Sequence, residues 1–301
     1  MTREFAIETQ GLRKSYGDVE ALKGVDLQVH KGEIFGFLGP NGAGKTTTIR
    51  CLLDLIRPNA GRLRVMGLDP QVDPVKVRRR VGYLPGELHM DDNLTVKALL
   101  RFLNRLRDGK VDWDFVLQMA ERLNLDLNIP VKYLSKGNKQ KVGLVQAMMH
   151  RPELLMLDEP TFGLDPLVQQ EVLRLVSEAR QSGATIFFSS HILSEVEAIA
   201  DRVGIIRSGV MSEVADTSII LNRSLQRVRI RFKQPVETTT LADLAGIQVL
   251  SDDGDQSILL QVEGEMDGLI KALAGFPVLI METERPSLEE IFLTYYEKEA
   301  S

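Results

Sequence analysis

A glycine-rich segment, GPNGAGKTT at residues 39–47, constrains the fold of this chain more than any other feature. It follows the apolar run GEIFGFLG, which is typical of a strand buried on both faces of a parallel sheet. A helical pattern begins directly after it, near Gly44. The pattern G-x-x-x-x-G-K-T between a strand and a helix predicts a loop whose backbone N–H groups surround a phosphate group. The chain is therefore expected to build an α/β fold around a phosphate-binding loop.

The residue types in this loop each have a physical reason. The glycines let the backbone turn its N–H groups inward around a β-phosphate. Lys45 supplies a mobile positive charge for the β and γ oxygens, and the Thr46 hydroxyl is a ligand for Mg²⁺. The alternative is a chance glycine-rich turn, which leaves the strand and the helix on its two sides unexplained. The predicted nucleotide contacts are Gly39, Pro40, Asn41, Gly42, Ala43, Gly44, Lys45, Thr46 and Thr47.

A second apolar run, LLMLDEP, ends in two adjacent carboxylates, Asp158 and Glu159. Ligands of open α/β folds bind at the carboxyl ends of the strands, where this pair is expected to lie. Asp158 is predicted to hold the hydration shell of Mg²⁺. Glu159 is predicted to accept a proton from the attacking water, a role worth roughly 10²–10⁴-fold in rate. The alternative, a strand that ends in an acidic turn, is weakened by the phosphate loop beside it.

The order of the elements predicts two domains. Along residues 1–215, strands alternate with helices, which indicates a mostly parallel sheet covered on both faces. N-terminal strands, expected to be antiparallel, and a helical insertion at about residues 90–150 interrupt this alternation. Residues 216–301 show the order strand, helix, strand, strand, helix, strand, followed by the helical pattern SLEEIFLTYYEKE. That order predicts a small α+β domain of the ferredoxin-like type.

Composition limits the partners and the compartment. The net charge of −5 and the pI of about 5.6 argue against nucleic acid as the main partner. The single cysteine, Cys51, rules out an internal disulfide and fits a reducing compartment. It is interpreted as a small buried residue, with a reactive thiol as the alternative. The charged N-terminus does not resemble a signal peptide, and no run of about 18 uncharged apolar residues is present.

Further motifs complete a series that resembles one family. KSYG, LSKGNKQKV, TFGLDP and SSH, together with the phosphate loop and LLMLDEP, run in a fixed order from Tyr16 to His191. This series resembles the ATP-binding subunits of ABC transporters. The resemblance implies the P-loop NTPase fold, ATP and Mg²⁺ as cofactors, and a head-to-tail dimer. In that dimer each ATP lies between the phosphate loop of one subunit and the signature loop of the other, here LSKGN.

The resemblance assigns roles to the residues of these motifs. Ser135 and Gly137, with Asn138 behind them, contact the γ-phosphate of the ATP held by the opposite subunit, helped by the helix N-terminus. An ordinary helix cap is the alternative for this loop. Asp165 bridges the subunits. His191 touches the γ-phosphate and orients the water, although a lone histidine is more often structural.

Tyr16, in KSYG, stacks on adenine by the same resemblance, and a turn or core tyrosine is the alternative. Three motifs depart from the family pattern. The usual Gln of the segment after VGYLP is replaced by Gly86, followed by Glu87. Either Glu87 takes over the contact with Mg²⁺ or its water, or that contact is absent. In the signature loop Lys136 replaces Gly and adds positive charge near a phosphate, and Asn138 replaces Gln. Phe162 stands in place of Ser and is expected to pack.

The favoured function is that of an ATP-hydrolysing motor subunit of an ABC transporter, similar to the export branch. Its implied partners are a separately encoded integral membrane permease and a second copy of the chain or a paralogous subunit. The implied location is cytoplasmic, peripheral on the inner face of the cell membrane. One alternative is a soluble ABC ATPase that acts on nucleic acid or ribosomes. Another is a binding module without chemistry, which the presence of Lys45, Asp158, Glu159 and His191 disfavours.

Overall fold

The structure is a computed structural model that describes residues 4–91, 93–107, 109–218, 226–234, 241, 244, 246–252, 256–262 and 264–284. The chain forms two compact units, Met1–Asp216 and Thr217–Ser301. The strands of the first unit are β1 Phe5–Tyr16, β2 Val19–His30, β3 Ile34–Leu38, β4 Ala60–Val65, β5 Val81–Leu84, β6 Leu154–Asp158, β7 Thr185–Ser190, β8 Arg202–Arg207 and β9 Val210–Asp216. Its helices are α1 Lys45–Leu52, α2 Pro74–Arg80, α3 Val96–Leu106, α4 Trp113–Arg122, α5 Lys136–Met148, α6 Pro166–Gln181 and α7 Leu193–Ile199, with a 3₁₀ turn at Val131–Tyr133.

A six-stranded sheet carries the functional loops of the first unit. Its order is β5-β6-β7-β3-β8-β9, and all neighbours are parallel except β8 and β9. Every residue of β3, β6 and β7 is buried, as their apolar runs predict. Phe187 joins two of these strands, because its ring centroid lies 5.9 Å from that of Phe35 and 5.2 Å from that of Phe37. The predicted mostly parallel sheet is confirmed.

The predicted N-terminal antiparallel strands form a separate sheet in the order β2-β1-β4. This sheet lies against the phosphate loop. A β-carbon added to Gly44 would lie 2.8 Å from the backbone oxygen of Ala21 in β2. The backbone N–H of Lys23, also in β2, donates to the oxygen of Gly209 at 2.8 Å. The N–H of Gly209, between β8 and β9, in turn donates to the oxygen of Ala43 at 2.9 Å, so both sheets of the unit support the end of the phosphate loop.

The predicted helical insertion consists of α3, α4 and α5 with their connections. Side chains cap the first two helices: Thr95 accepts from the N–H of Ala98 at 3.2 Å, and Asp112 accepts from the N–H of Asp114 at 3.1 Å. Helix α5 returns to the sheet and buries most of its length against β5. No helix within the described residues is long and apolar enough to cross a membrane.

The second unit has the strands β10 Gln226–Phe232, β11 Ile247–Asp252, β12 Ser257–Val262 and β13 Val278–Glu284, and the helix α8 Asp267–Leu273. The sheet is antiparallel in the order β11-β12-β10-β13, which is the strand arrangement of a ferredoxin-like unit. Val228, Ile230 and Leu260 pack with Leu269 of α8 in its core. The predicted closing helix SLEEIFLTYYEKE, and most of the predicted helix TTLADLAG, lie outside the described residues.

Cys51 belongs to the core of the first unit. Its side chain is fully buried on α1. Burial raises the pKa of the thiol to about 11, against a smaller lowering effect of Lys14. The thiol therefore stays protonated at neutral pH and acts as a small apolar side chain.

Candidate active site

The phosphate loop connects β3 to α1 and depends on residues without a β-carbon. A β-carbon on Gly39 would lie 2.4 Å from the backbone oxygen of Ile206. Gly44 has φ +113° and is the N-cap of α1, where it provides no side-chain hydrogen bond. The first N–H groups of α1 are thus left without a side-chain acceptor. A loop and helix end of this kind suit a phosphate group.

Lys45 is buried at the mouth of this loop, with 6% of its side chain exposed. Its Nζ donates to the backbone oxygens of Gly39 at 2.5 Å and Pro40 at 3.3 Å. Nζ also lies 3.1 Å from Oε1 of Glu159, as an ion pair without hydrogen-bond geometry. A buried ammonium group held at the loop mouth fits the phosphate oxygens of a nucleotide.

Asp158 is held by two hydroxyl groups. Its Oδ2 accepts from Oγ1 of Thr46 at 2.7 Å, and its Oδ1 accepts from Oγ of Ser189 at 2.6 Å. Within the described residues there is no group of three or more His, Cys, Asp or Glu that would hold a metal alone. One oxygen each from Thr46 and Asp158 is a sufficient set of protein ligands for Mg²⁺, because this ion usually takes its remaining ligands from water and substrate phosphates.

Glu159 occupies a strained turn directly after β6. Its φ is +52°, in the left-handed region that residues other than glycine rarely adopt. The turn is held on both sides. Its N–H donates to the backbone oxygen of Ser189 at 3.2 Å, and its own backbone oxygen accepts from Nε2 of Gln140 at 3.0 Å. The strain directs the carboxylate toward the phosphate loop.

His191 follows β7 and meets this carboxylate from the other side. Its Nδ1 lies 2.8 Å from Oε2 of Glu159, and its side chain is 38% exposed. An ionised carboxylate can only accept, so Nδ1 carries the proton. In the neutral ring, Nε2 is then free to accept a hydrogen bond. The structure thus brings together Lys45, Thr46, Asp158, Glu159 and His191.

The signature loop lies apart from this group. Ser135 is exposed and caps α5, since its Oγ accepts from the N–H of Asn138 at 3.2 Å. A β-carbon on Gly137 would lie 2.7 Å from the backbone oxygen of Gly163, so the loop packs on the segment that leads to α6. Asp165 is exposed and caps α6 through the N–H of Val168 at 3.1 Å. In the described part of the chain, no hydrogen bond or ion pair joins these residues to Lys45.

Two departures from the family pattern contact each other. The Nζ of Lys136 lies 4.3 Å from the ring centroid of Phe162. The expected packing of Phe162 is thus against Lys136 at the surface, since 47% of the residue is exposed. The pair is therefore a cation–π contact on the outward face, between the signature loop and the segment after Glu159.

The remaining predicted residues lie at the edges of the site. Tyr16 ends β1, is 47% exposed, and has the Nζ of Lys14 at 5.3 Å from its ring centroid. A β-carbon on Gly86 would lie 3.2 Å from Oδ2 of Asp158, whereas Glu87 is exposed. Gly86 thus approaches the predicted metal position through its backbone, and a role of Glu87 toward Mg²⁺ stays a prediction.

Sequence reasoning missed several residues that hold the site. Gln140 is 6% exposed, and its Nε2 donates to the backbone oxygens of Glu159 and Pro160. Ser189 contacts both Asp158 and the N–H of Glu159. The only signal for Gln140 is a polar residue on a helix that is otherwise buried against the sheet.

Comparisons with known proteins agree with this site. The ABC transporter family profile matches residues 22–162. The bacitracin transport ATP-binding protein BcrA of Bacillus licheniformis is 41% identical over 69% of this chain and 68% of its own length. The daunorubicin resistance ATP-binding protein DrrA3 of Streptomyces coeruleorubidus is 32% identical over 96% of this chain and 95% of its own length.

Solved structures agree as well. An ATP-binding subunit of an ABC transporter matches with a TM-score of 0.66 and 30% identity, over 71% of this chain and 91% of that chain. A dimeric ATP-binding cassette in a post-hydrolysis state, bound to ADP and Pi, matches with a TM-score of 0.64 at 20% identity, over 70% of this chain and 98% of that chain. The second likeness concerns the fold alone.

The fold and the site define a P-loop protein that binds and hydrolyses ATP. The chain belongs to the ATP-binding proteins of ABC transporters, and it is similar to members named for antibiotic transport and resistance. Its function is that of the ATP-hydrolysing motor subunit of a transporter. The similarity to transport proteins decides against the alternative of an ATPase that acts on nucleic acid or ribosomes.

Replacing Lys45 with alanine is expected to weaken ATP binding about 10- to 150-fold, because a hydrogen bond to a charged group contributes about 1.5–3 kcal/mol. Isothermal titration calorimetry with ATP measures the affinity. Lys76→Ala is the matched control, because Lys76 is exposed on α2 and pairs with Asp73. Wild-type affinity in the Lys45 variant would contradict the assignment of the loop.

Proposed function

We propose that the chain is one of two ATPase subunits that pair head to tail and drive a separately encoded membrane permease. The observation that supports this is the division of the predicted ATP contacts between two places. Lys45, Glu159 and His191 form one connected group. Ser135 and Gly137 lie outside that group, on an exposed helix N-terminus suited to an anion. Each chain then carries two half-sites, and the signature half serves the ATP of the other subunit.

Hydrolysis begins from a carboxylate that is already engaged. In the structure Glu159 pairs with Lys45 on one side and His191 on the other. Phosphate oxygens of ATP take over the Lys45 ammonium group, which frees Oε1 of Glu159 to accept a proton from water. His191 keeps Oε2 in position through its Nδ1–H. Its other nitrogen, Nε2, is available to the water or to the γ-phosphate.

Mg²⁺ fits beside this carboxylate and would be held by Thr46 and Asp158. When bound, it neutralises charge on the phosphate oxygens. Ser189 keeps Asp158 oriented by donating to the oxygen that Thr46 leaves free. Glu87 is a further candidate for the water shell, because it follows Gly86, whose backbone lies against Asp158.

The exposed surface around the start of α5 supplies the second half of the site. Ser135, Gly137 and Asn138, at the N-terminus of α5, contact the γ-phosphate held by the other subunit, and Lys136 adds a charge there. Asp165 contacts the opposite subunit beside them. Tyr16, half exposed at the end of β1, stacks on adenine. The γ-phosphate therefore joins the two subunits, and its loss on hydrolysis lets them separate.

The partner subunit is a second copy or a paralogous ATPase. Export is the favoured direction, since the relatives named above are described by bacitracin transport and daunorubicin resistance. The chain then acts at the cytoplasmic face of the cell membrane, bound to its permease. We assign the ATPase to residues 1–215 and an accessory role to residues 216–301.

Glu159→Gln is expected to keep ATP binding, to lose at least about 100-fold in turnover, and to remain a dimer with MgATP. Loss of the base leaves the γ-phosphate, and so the contact between subunits, intact. Size-exclusion chromatography with light scattering measures the mass. The double variant Lys45→Ala, Glu159→Gln is the control and stays monomeric. A monomeric Glu159→Gln protein in MgATP would count against Glu159 as the base.

Lys136→Gly and Lys136→Gln are each expected to weaken the ATP-dependent dimer of the Glu159→Gln protein about 3- to 10-fold. This corresponds to about 1 kcal/mol, the size of the interaction that one exposed charge makes with a phosphate. Analytical ultracentrifugation gives the dimer dissociation constant. Lys132→Gln is the matched control, since Lys132 also lies over an aromatic ring, that of Tyr133 at 4.9 Å, before α5 begins. Unchanged dimer affinity in both Lys136 variants would refute the role of this charge.

The motor function itself is tested through the permease. A neighbouring gene is expected to encode a protein with several apolar helical spans of about 20 residues. Co-expression with the affinity-tagged chain should recover both proteins from detergent extracts, and vesicles containing both should couple ATP hydrolysis to transport. The Glu159→Gln complex is the control, because it assembles but does not transport. The proposal would be overturned if the chain were recovered without the membrane protein and if vesicles containing both proteins showed no ATP-dependent transport.

A further inference from the structure

Glu195 is a buried carboxylate that lies outside the reacting group. It stands in the first turn of α7 and is 7% exposed. Its Oε1 accepts from Oγ1 of Thr161 at 2.5 Å, and its Oε2 accepts from Oγ of Ser190 at 2.7 Å. These lengths are those of hydrogen bonds to an ionised carboxylate. Burial of such a charge is costly unless it is fully hydrogen-bonded, so its place requires an explanation.

The two hydroxyl groups belong to the segments that carry the reacting side chains. Thr161 follows Glu159 by two residues, and Ser190 directly precedes His191. Both are buried, with 2% and 0% of their surface exposed. Glu195 therefore joins the turn after the proposed base to the end of the strand that presents the histidine.

The network also reaches the phosphate loop. The backbone oxygen of Ser190 accepts from the N–H of Gly39 at 3.4 Å. Its Oγ accepts from the N–H of Ile192 at 2.9 Å, which fixes the turn that contains His191. Glu195 thus bonds directly to two segments of the site, and Ser190 links it to the phosphate loop, while its side chain contacts none of the reacting groups in the described structure.

A purely structural role, in which Glu195 only anchors α7, does not explain its two hydrogen bonds to the loops. The helix is anchored by Val196, the residue that follows Glu195. This side chain is fully buried against β3, where a β-carbon on Gly36 would lie 2.5 Å from its Cγ1. The N–H of the N-cap, Ile192, donates to Oγ of Ser190 and not to Glu195, so Glu195 does not close a capping pattern. Both of its oxygens are used on the two loops instead.

We propose that Glu195 is a positioning residue for ATP hydrolysis. By holding Thr161 and Ser190, it fixes the 2.8 Å contact between Nδ1 of His191 and Oε2 of Glu159. The inference rests on the roles proposed above for Glu159 and His191. Because Glu195 touches no predicted nucleotide contact by its side chain, its loss affects the reaction step and leaves ATP binding intact.

Glutamine at this position is a sharp test, because it keeps the size of the side chain and removes one acceptor. Its amide nitrogen can only donate, and the two hydroxyls both donate to Glu195 now. One hydroxyl must therefore change from donor to acceptor, so the contact with one of the two loops loses the charged acceptor and becomes weaker. Thr161→Val removes the same contact from the loop side with little change in volume.

Glu195→Gln is expected to lower kcat about 10-fold or more, as a displaced reacting group does, and to change KM and the ATP dissociation constant less than about twofold. Thr161→Val should do the same, and the double variant should lose no more than either single variant, since both break one network. Steady-state ATPase assays, calorimetry and thermal unfolding give these values. Glu178→Gln is the control with unchanged kcat, because Glu178 is a surface carboxylate on α6 that pairs with Arg122.

Wild-type kcat in a folded Glu195→Gln protein would overturn the inference. So would a fall in kcat that is matched by weaker ATP binding and a lower Tm, because that indicates a structural role. Additive losses in the double variant would also overturn it. Failure of the proposed function is distinguishable, because it appears as wild-type turnover in Glu159→Gln, whatever Glu195→Gln does.

Discussion

The carboxylate of Glu159, held between Lys45 and His191, is the contact on which the rest of the site depends. The three residues come from distant parts of the sequence, but they follow strands β6, β3 and β7, which are neighbours in one parallel sheet. In its register Asp158 stands opposite Ser189, and Leu38 opposite Ser190. Parallel strands end at the same edge, so sheet order brings Glu159, Lys45 and His191 together.

This edge combines strain and buried charge, and the surrounding structure compensates both. Glu159 keeps a positive φ because its N–H and C=O are bonded to Ser189 and Gln140. Asp158 is fully buried, and each of its oxygens accepts from a hydroxyl group. The apolar residues of the fully buried strands β3, β6 and β7 supply the burial that offsets these costs. A polar cluster of this kind is stable only when every member is bonded, which explains why hydroxyl residues end β7.

Much of this arrangement follows from the sequence, because the phosphate loop and the carboxylate pair are local patterns on predictable strands. Those patterns were sufficient for Lys45, Thr46, Asp158 and Glu159, and the order of strands and helices for the sheet type and the helical insertion, whereas His191 was assigned through the family resemblance. The residues that hold this edge in place were not predictable from the sequence. Gln140 bonds to a carbonyl 19 residues away, and Glu195 to a hydroxyl 34 residues away. Neither contact leaves a periodic signal, since each depends on the packing of a helix against a loop.

The pairing of Lys136 with Phe162 shows the same limit from another side. Each residue is an isolated departure from the family pattern in the sequence, and only the fold reveals that they touch. Helix α5 has its exposed cap at Ser135 and, within the next two turns, the buried Gln140 on the backbone oxygen of Glu159. A helix moves as a rigid element, so a displacement of its capped end also displaces this support of the Glu159 turn. The exposed start of α5 and the turn that carries Glu159 are therefore coupled in two ways: through the length of α5 to Gln140, and through the contact of Lys136, the first residue of α5, with Phe162.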